Sequence, residues 1–336
     1  MKKVIIDCRY LNLSGIGRFL ENLLDNLDNN KFKYTLFGKK ELVEKYNLDF
    51  IVDDSNPYSI KGIFFINKII NKFDIYLTPN FIIPFGIKIK TFIVLHDVVF
   101  LDIKSINKNY LEFLFKYYLI RRGIRKSIKV YTVSKFSKNR IEHYFPKYKD
   151  KINYQYQGVS NIFKNQEKGN KKDYILYIGN IKKHKGLMTL IKAYDHVFNY
   201  NLIIVGEEKN LINKDEEALA LIKNKNIKFS GKIKDELLIE YIKSASFVIV
   251  PSLYEGFGLV PLEALYLDTK PIISNIDVFE EVYSQFDVIY FKANDYQDLA
   301  SKINVSSIEV NVDKAMLDSK FSSVKFIKMI EDDMDE

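Results

Sequence analysis

Residues 251–265 read Pro-Ser-Leu-Tyr-Glu255-Gly-Phe-Gly258-Leu-Val-Pro261-Leu-Glu263-Ala-Leu. The apolar run Phe247 to Val250 leads into this stretch as a buried strand, and a helix is expected to begin at Pro261. Proline suits a first helical position because the N–H it lacks would have no intrahelical partner there. Strand, glycine turn and helix in that order form a βα unit, and in parallel sheets ligands bind beyond the carboxyl ends of the strands. Glu255 and Glu263 both fall in that zone. With Val260 as the N-cap and Glu263 as the third helical residue, no side chain caps the helix. The N–H groups of Gly258, Leu259 and Val260 are then left for water, for Glu263 or for a bound anion.

Outward from this stretch the same cadence recurs. In the first half, strands are expected at Lys3 to Cys8, Tyr34 to Phe37, Ile75 to Leu77, Thr91 to Leu95, Lys129 to Val133 and Ile152 to Tyr156. Helices are expected from Gly17 to about Leu27, over the aromatic segment 110–126, and from Ser137 to Tyr144. Asn161 to Lys172 is polar and offers little to bury, which suits an interdomain linker. The cadence then restarts with strands at Tyr174 to Ile178, Leu202 to Val205, Ile227 to Phe229, Phe247 to Val250, Pro271 to Ser274 and Val288 to Phe291, and with helices at Gly186 to Tyr194 and Asp235 to Lys243. Alternating strand and helix predicts parallel sheets, and two such sheets joined once predict a cleft between them. A closing helix, Ser322 to Ile330, precedes the acidic end Glu331 to Glu336.

At 336 residues the chain is long for one core and comfortable for two α/β domains. Its single cysteine, Cys8, lies in an apolar strand, which fits buried packing and a reducing compartment. Three apolar residues between Lys3 and Asp7 are too few for a signal-peptide core, so a cytoplasmic location is expected, with a place at the inner face of the membrane. The net charge of +8 with 14% aromatic residues favours anionic partners. Segment 110–126, Tyr-Leu-Glu-Phe-Leu-Phe-Lys-Tyr-Tyr-Leu-Ile-Arg-Arg-Gly-Ile-Arg-Lys, has a greasy aromatic face and a basic end, which suits peripheral membrane contact. Packing on the sheet, with the cations answering the helix dipole, is the favoured reading of the same pattern. The basic residues are scattered and form no recognised nucleic-acid module, so nucleic acid is not expected as a partner.

Two further glycine turns suggest phosphate. Ser14-Gly15-Ile-Gly17-Arg18 follows the first strand, where glycines let an anion approach backbone N–H groups at a helix start. The dinucleotide fingerprint fails here, because Leu20 stands where a third glycine is required and Phe37-Gly38-Lys39 where an acid is required. A tight turn without a ligand stays open. Tyr177-Ile-Gly179-Asn180-Ile-Lys182-Lys183-His184-Lys185-Gly186 again runs from strand through glycine and loop to helix, now with three lysines. Lysine is a point charge suited to a diphosphate. Lys182 and Lys183 fit a solvated loop equally well.

The Glu255–Glu263 frame, preceded by Gly179 to Gly186, closely resembles the family 4 retaining glycosyltransferases of the GT-B fold, and the resemblance covers essentially the whole chain. Asp7-Cys-Arg9, Ser14-Gly-Ile-Gly-Arg18, His96-Asp97, Thr132-Val-Ser134-Lys-Phe-Ser137, Gly158-Val-Ser160 and Phe229-Ser-Gly231 look like their counterparts in order. The Gly-Ile-Gly-Arg opening is similar to a subgroup rich in mannosyltransferases of bacterial surface-polysaccharide assembly. The resemblance implies an α/β fold of two Rossmann-like parallel-sheet domains facing a central cleft. These would be an acceptor-side domain over 1–165, a nucleotide-sugar-binding domain over 166–320, and a helix over 321–336 packing back toward the first. It implies a metal-independent, retaining hexosyltransferase that moves mannose or another hexose from a nucleotide diphosphate sugar to a polysaccharide or lipid-linked acceptor, with no cofactor.

The resemblance also implies roles for individual residues. Gly15, Gly17 and Arg18 lie by the diphosphate, Lys185 neutralises it, and His96 contacts the donor sugar. Glu255 holds sugar hydroxyls and Glu263 the ribose. Gly179, Asn180, Gly256, Phe257, Gly258 and Leu259 complete the donor site, and His96, Lys185 and Glu255 form the catalytic set. Asn180 stands where the family usually has arginine, so either Lys182, Lys183 or Arg18 replaces that cation or donor affinity is lower. A non-catalytic sugar-nucleotide or glycan-binding protein of the same fold is the alternative that Asn180 motivates. His96, ending an apolar strand, also fits a satisfied core position.

Chemistry accounts for these residue types. Breaking a sugar–diphosphate bond builds negative charge on the leaving phosphate, which fixed cations and helix N–H groups stabilise. Whether Glu255 forms a covalent intermediate, as in retaining hydrolases, or the acceptor attacks on the same face stays open. Asp333-Met-Asp335 is the only Asp-x-Asp, in an end expected to be solvated, and the four histidines are too dispersed for a zinc site.

Overall fold

A computed structural model describes residues 1–11, 13–206, 216–224 and 227–336. The chain divides into two compact units, Met1–Ser160 with Lys320–Glu336, and Asn161–Ser319. The first holds a seven-stranded parallel sheet of β1 (Lys3–Asp7), β2 (Lys33–Gly38), β3 (Asp49–Val52), β4 (Ile75–Thr78), β5 (Lys90–Val94), β6 (Lys129–Thr132) and β7 (Ile152–Tyr154), in the order β3-β2-β1-β4-β5-β6-β7. The second holds six parallel strands, β8 (Lys172–Ile178), β9 (Asn201–Val205), β10 (Lys228–Phe229), β11 (Ala245–Val250), β12 (Lys270–Ser274) and β13 (Ile289–Phe291), in the order β10-β9-β8-β11-β12-β13.

Strand order reverses at the β1/β4 pair in the first sheet and at β8/β11 in the second. Loops leaving such neighbouring strands diverge to opposite faces and leave a crevice at the carboxyl edge. The central strands are mainly apolar runs, as expected where both faces of a parallel sheet are covered. All six residues of β11 are buried, and each large aliphatic or aromatic side chain removed from water contributes about 1.5–3 kcal/mol before ordering costs. The edge strand β3, Asp-Phe-Ile-Val, is largely exposed and carries no alternating pattern, which is why periodicity does not reveal it.

Four expectations need correction. The first helix is Ser14–Leu24, so Gly15 and Gly17 lie in its first turn and not in a preceding loop. The helix after β11 is Leu259–Tyr266 with Gly258 as N-cap, so Pro261 is its third residue and Glu263 its fifth. Proline is tolerated at the third position for the same reason as at the first. The Asn161–Lys172 segment is no bare polar tether: it opens with a 3-10 turn whose Phe163 is buried, and Lys171 Nζ donates to Thr269 Oγ1 at 2.6 Å.

The acidic end, lastly, is solvated only in part: Asp332, Asp335 and Glu336 are exposed, whereas Glu331 is buried and Asp333 half-buried. The closing helix runs Ser323–Asp335 and buries Phe326, Ile327, Ile330, Glu331 and Met334, a helical stripe, against the first unit. Tyr34 Oη donates to Glu331 at 2.6 Å, and Tyr131 Oη donates to Asp333 at 2.7 Å. Lys129 pairs with Asp333 at 3.3 Å. Phenols and a lysine on the strands thus turn an apparently free acidic run into a docking strip.

In the helix Tyr110–Lys126, Leu119, Ile120, Gly123 and Ile124 face inward, while Arg122 is buried with its guanidinium on the carbonyls of Ile83 and Pro84. Tyr110, Leu111, Leu114, Phe115 and Tyr118 are exposed. The helix therefore packs on the sheet and still presents a second apolar face. No helix among the described residues is long and apolar enough to cross a membrane.

Candidate active site

In the second unit, the loops leaving the adjacent strands β8 and β11 meet. Gly179 follows β8, and its N–H donates to Val205 O at 2.9 Å. A Cβ on Gly206 would drive into Gly179 O, so Gly206, which no sequence motif marks, is required for this close approach. Residues 183–185 form a 3-10 turn that ends at Gly186 in the left-handed conformation, φ 66°. A Cβ there would strike Pro251 O, while Leu253 N–H donates to His184 O at 2.8 Å. These two constraints tie the lysine loop to the start of the glutamate turn.

As a result Lys185 Nζ lies 2.7 Å from Glu255 Oε1, to which Ser252 Oγ also donates at 2.8 Å. The two side chains are 26% and 14% exposed, so the pair is formed at the edge of solvent. Ser252 is held in turn, its carbonyl accepting from Ser274 Oγ at the end of β12. Burial beside the Lys185 ammonium lowers His184 to about 4, which keeps its ring neutral.

Gly258 caps the next helix with φ 85°, and a Cβ there would collide with the Phe279 ring. No side chain caps this helix start. Tyr283 Oη, fully buried, donates to Gly258 O and meets the Leu262 backbone. Burial first, then the Glu263 and Glu255 carboxylates, push this phenol well up. The two glutamates therefore share one buried tyrosine as neighbour, a residue outside every motif legible in the sequence. Glu263 is 2% exposed, deep at the helix start. Phe257 is also buried, with its ring 6.5 Å from that of Tyr283. Gly256 is buried, while Leu259, Gly179 and Asn180 are half-buried. Asn180 O accepts from Tyr177 Oη at 3.2 Å.

Gly15, Gly17, Arg18 and His96 belong to the first unit. The two glycines differ. A Cβ on Gly17 would run into Leu11 O, and its N–H is already donated to Leu13 O at 3.0 Å, so its need is packing. Gly15 is exposed, and a methyl group in place of its hydrogen would meet nothing within 4 Å. Arg18 is half-buried.

His96 follows β5. Its ring bonds to the Pro79 carbonyl, which assigns a proton to that nitrogen and leaves Nε2 as an acceptor that no described group satisfies. Burial lowers His96 to about 4. Ser137 Oγ donates to His96 O at 3.0 Å, and Ser134 caps the helix Lys135–Tyr144 by accepting from Ser137 N–H at 3.0 Å, so the Thr132–Ser137 motif holds the His96 loop. The Phe19 ring meets the His96 ring edge-on at 4.9 Å and Phe326 of the closing helix at 5.0 Å.

Tyr10 Oη, Thr132 Oγ1 and Gln157 Oε1 are, like His96 Nε2, buried polar atoms without a hydrogen-bond partner among the described residues. They come at or just beyond the ends of β1, β6 and β7, as His96 does for β5. An unsatisfied buried polar atom costs about 1–3 kcal/mol, so such a row calls for water or a polar ligand. Nearby, Arg9 satisfies itself internally, with Nε and Nη2 on Asp7 at 2.8 and 2.7 Å, and Tyr76 Oη donates to the same carboxylate at 2.6 Å. Burial beside Asp7 raises the Cys8 thiol, which fits its packing role.

Two parallel-sheet Rossmann-like units with a phosphate-suited loop and a paired-glutamate turn define a GT-B architecture, and solved glycosyltransferases share it. A glycosyltransferase from Rickettsia africae superposes with a TM-score of 0.73 over 99% of this chain and 98% of that one, at 18% identity. Residues 159–307 match the family Glycosyl transferases group 1, and this chain carries a domain of that family. The O-antigen chain mannosyltransferase RfbU of Salmonella typhimurium is 31% identical over 192 residues, 55% of this chain and 53% of that protein, so the chain spans about half the length of that relative. An uncharacterized glycosyltransferase of Methanocaldococcus jannaschii is 24% identical over 326 residues, 90% of this chain and 87% of that protein.

Proposed function

We propose that this protein is a metal-independent, retaining hexosyltransferase that takes mannose or another hexose from a nucleotide diphosphate sugar and passes it to a polysaccharide or lipid-linked acceptor. The observation that carries the reading is the Lys185–Glu255 pair at 2.7 Å, beside an uncapped helix start that bears Glu263. In the reaction, the sugar–phosphate bond breaks and its electron pair goes to the leaving diphosphate, while an acceptor hydroxyl bonds to the anomeric carbon and gives its proton to that diphosphate. Lys185 and the N–H groups of the Leu259–Tyr266 helix offset that charge. Glu255 keeps the sugar hydroxyls in register, and Glu263 takes the ribose hydroxyls. Gly15, exposed and with open space where a Cβ would stand, admits the phosphates. Asn180 adds no charge, which leaves Lys185 with a larger share of the task. His96 Nε2, an acceptor without a described partner, suits a hydroxyl of the transferred sugar, and the unsatisfied atoms of Tyr10, Thr132 and Gln157 suit a hydroxyl-rich acceptor. The name of the mannosyltransferase relative supports mannose as the first sugar to try.

The test is to incubate the protein with UDP- and GDP-hexoses and a polyprenyl-linked acceptor, and to determine the anomeric configuration of the product. Turnover that survives a chelator and retains configuration supports the reading. Binding of a nucleotide sugar with neither transfer nor hydrolysis would support a non-catalytic sugar-nucleotide-binding protein instead.

Peripheral contact with the inner face of the membrane belongs to the same proposal. Its support is the exposed apolar face of the Tyr110–Lys126 helix, bordered by exposed Arg121, Arg125 and Lys126. The short helix Ile60–Phe64 adds exposed Ile60 and Phe64, with Phe65 next to it, and Phe64 stacks on Phe85 at 4.7 Å while the Arg122 guanidinium lies 3.9 Å from that same ring.

A further inference from the structure

We propose that Tyr283 is the positioning residue of the donor site, a buried phenol that fixes the Gly258 turn and thereby the settings of Glu255 and Glu263. This rests on the reading of that turn as a donor site and adds a residue to it. Tyr283 ends the helix Asp277–Tyr283, whose other buried members, Val278, Phe279 and Val282, are apolar. A polar side chain among them needs a reason, since burying a hydroxyl is costly unless it is bonded. The bond it makes is to Gly258 O, the carbonyl of the one residue in the turn that is held at positive φ.

That bond determines orientation. The peptide plane joining Gly258 to Leu259 carries both the clamped carbonyl and the Leu259 N–H at the opposite side of the same rigid unit. Fixing the carbonyl therefore aims the first N–H of the helix. Phe279 fills the space where a Gly258 side chain would stand, so the turn cannot relax toward it. The same phenol is close enough to both glutamates for each to act on its ionisation, with Glu263 the stronger. It stays protonated, and so it remains a donor. Gly258, Leu259 and the helix start that bears Glu263 are thus set by one side chain from the next βα unit, and Glu255 enters the same turn three residues before Gly258.

Tyr283→Phe keeps the ring and removes only the donor. Val278→Ala, a buried change in the same helix that removes no hydrogen-bonding side chain, serves as the stability control. Both are compared with the unaltered protein by thermal unfolding, by calorimetric titration with UDP and GDP, and by donor and acceptor kinetics with UDP- and GDP-hexoses. Misplacing a site by a fraction of an ångström is enough to lose about tenfold or more in rate. The proposal expects Tyr283→Phe to lower kcat/KM for the donor by about tenfold or more, with acceptor KM unchanged, while Val278→Ala retains donor kinetics at an equal or larger drop in melting temperature. Equal losses in the two variants, or wild-type kinetics in Tyr283→Phe, overturn it and leave the function standing. If the unaltered protein binds neither nucleotide and transfers nothing, the donor-site reading falls and this proposal with it. Nucleotide binding without turnover moves the comparison to affinity, where the same loss of about tenfold confined to Tyr283→Phe is required.

Discussion

Replacing Lys185 by alanine separates two tasks of one ammonium group. In the structure it is 2.7 Å from Glu255 Oε1, with the two side chains 26% and 14% exposed. A pair at the edge of solvent gains several kcal/mol of Coulomb energy, about 6 at 2.7 Å and an effective dielectric of 20. Desolvation and the ordering of a long side chain return most of it, so fully exposed pairs net about 0.2–1 kcal/mol. Partial burial and the shared Ser252 hydrogen bond raise this to about 1–2 kcal/mol. The chemical task is larger. Removing a fixed donor from developing charge typically costs about 10²–10³ in rate, or about 3–4 kcal/mol. Lys185→Ala should therefore unfold in urea at a stability lower by about 1–2 kcal/mol, and should release nucleoside diphosphate from its best donor more slowly by about 100-fold or more. Adding Glu255→Ala should recover part of the stability, because the carboxylate stranded by the first change is gone, and none of the rate. Transfer within about threefold of wild type, alongside the expected loss of stability, would refute the catalytic task and make the pair a structural strut.

Other outcomes follow from the same geometry. Gly15→Ala should leave stability unchanged or raise it by up to about 1 kcal/mol, since nothing blocks a methyl group there, whereas Gly17→Ala should destabilise by pressing on Leu11 O; urea unfolding of the two distinguishes them. If Gly15 admits phosphate, Gly15→Ala will also lose donor affinity at full stability. His96 and His184 are both held to about 4 in the folded chain, against an ordinary value near 6.5. Since protons then bind the unfolded chain first, stability is intact above that ordinary value and falls as pH drops toward 4, by on the order of 2–3 kcal/mol for a histidine so shifted. In His96→Gln the acid-side slope of unfolding free energy against pH should be shallower; an unchanged slope would contradict this. Phe64→Asp with Phe115→Asp should abolish flotation with phosphatidylglycerol vesicles and leave transfer to a soluble acceptor unaltered, and equal flotation of the variant would exclude that face.

The βα cadence was legible because strands buried on both faces are continuous apolar runs, and the paired glutamates were legible through the resemblance of their whole frame to a known family, since two glutamates at that spacing occur by chance in many proteins. What misled was local. Pro261 looked like a helix start, since proline is tolerated anywhere in a first turn and cannot by itself count the residues before it. The helix begins instead where Gly258, pressed by Phe279, can turn into positive φ. The Glu331–Glu336 run looked solvated because charge usually means water, yet Tyr34, Tyr131 and Lys129, some 200–300 residues earlier in the chain, supply its partners.

By itself the sequence determined two parallel-sheet halves, the strand-end placement of Lys185, Glu255 and Glu263, and the class of chemistry those residues suit. Tertiary structure alone decided which of them meet. Lys185 joins Glu255 because β8 and β11, some 70 residues apart, are neighbours where the strand order reverses, and Gly186 lets their loops touch. Tyr283 joins the site because its helix returns over the Gly258 turn, a contact between residues 25 apart. Periodicity records which face of an element is buried, but not which distant polar atom waits on the other side.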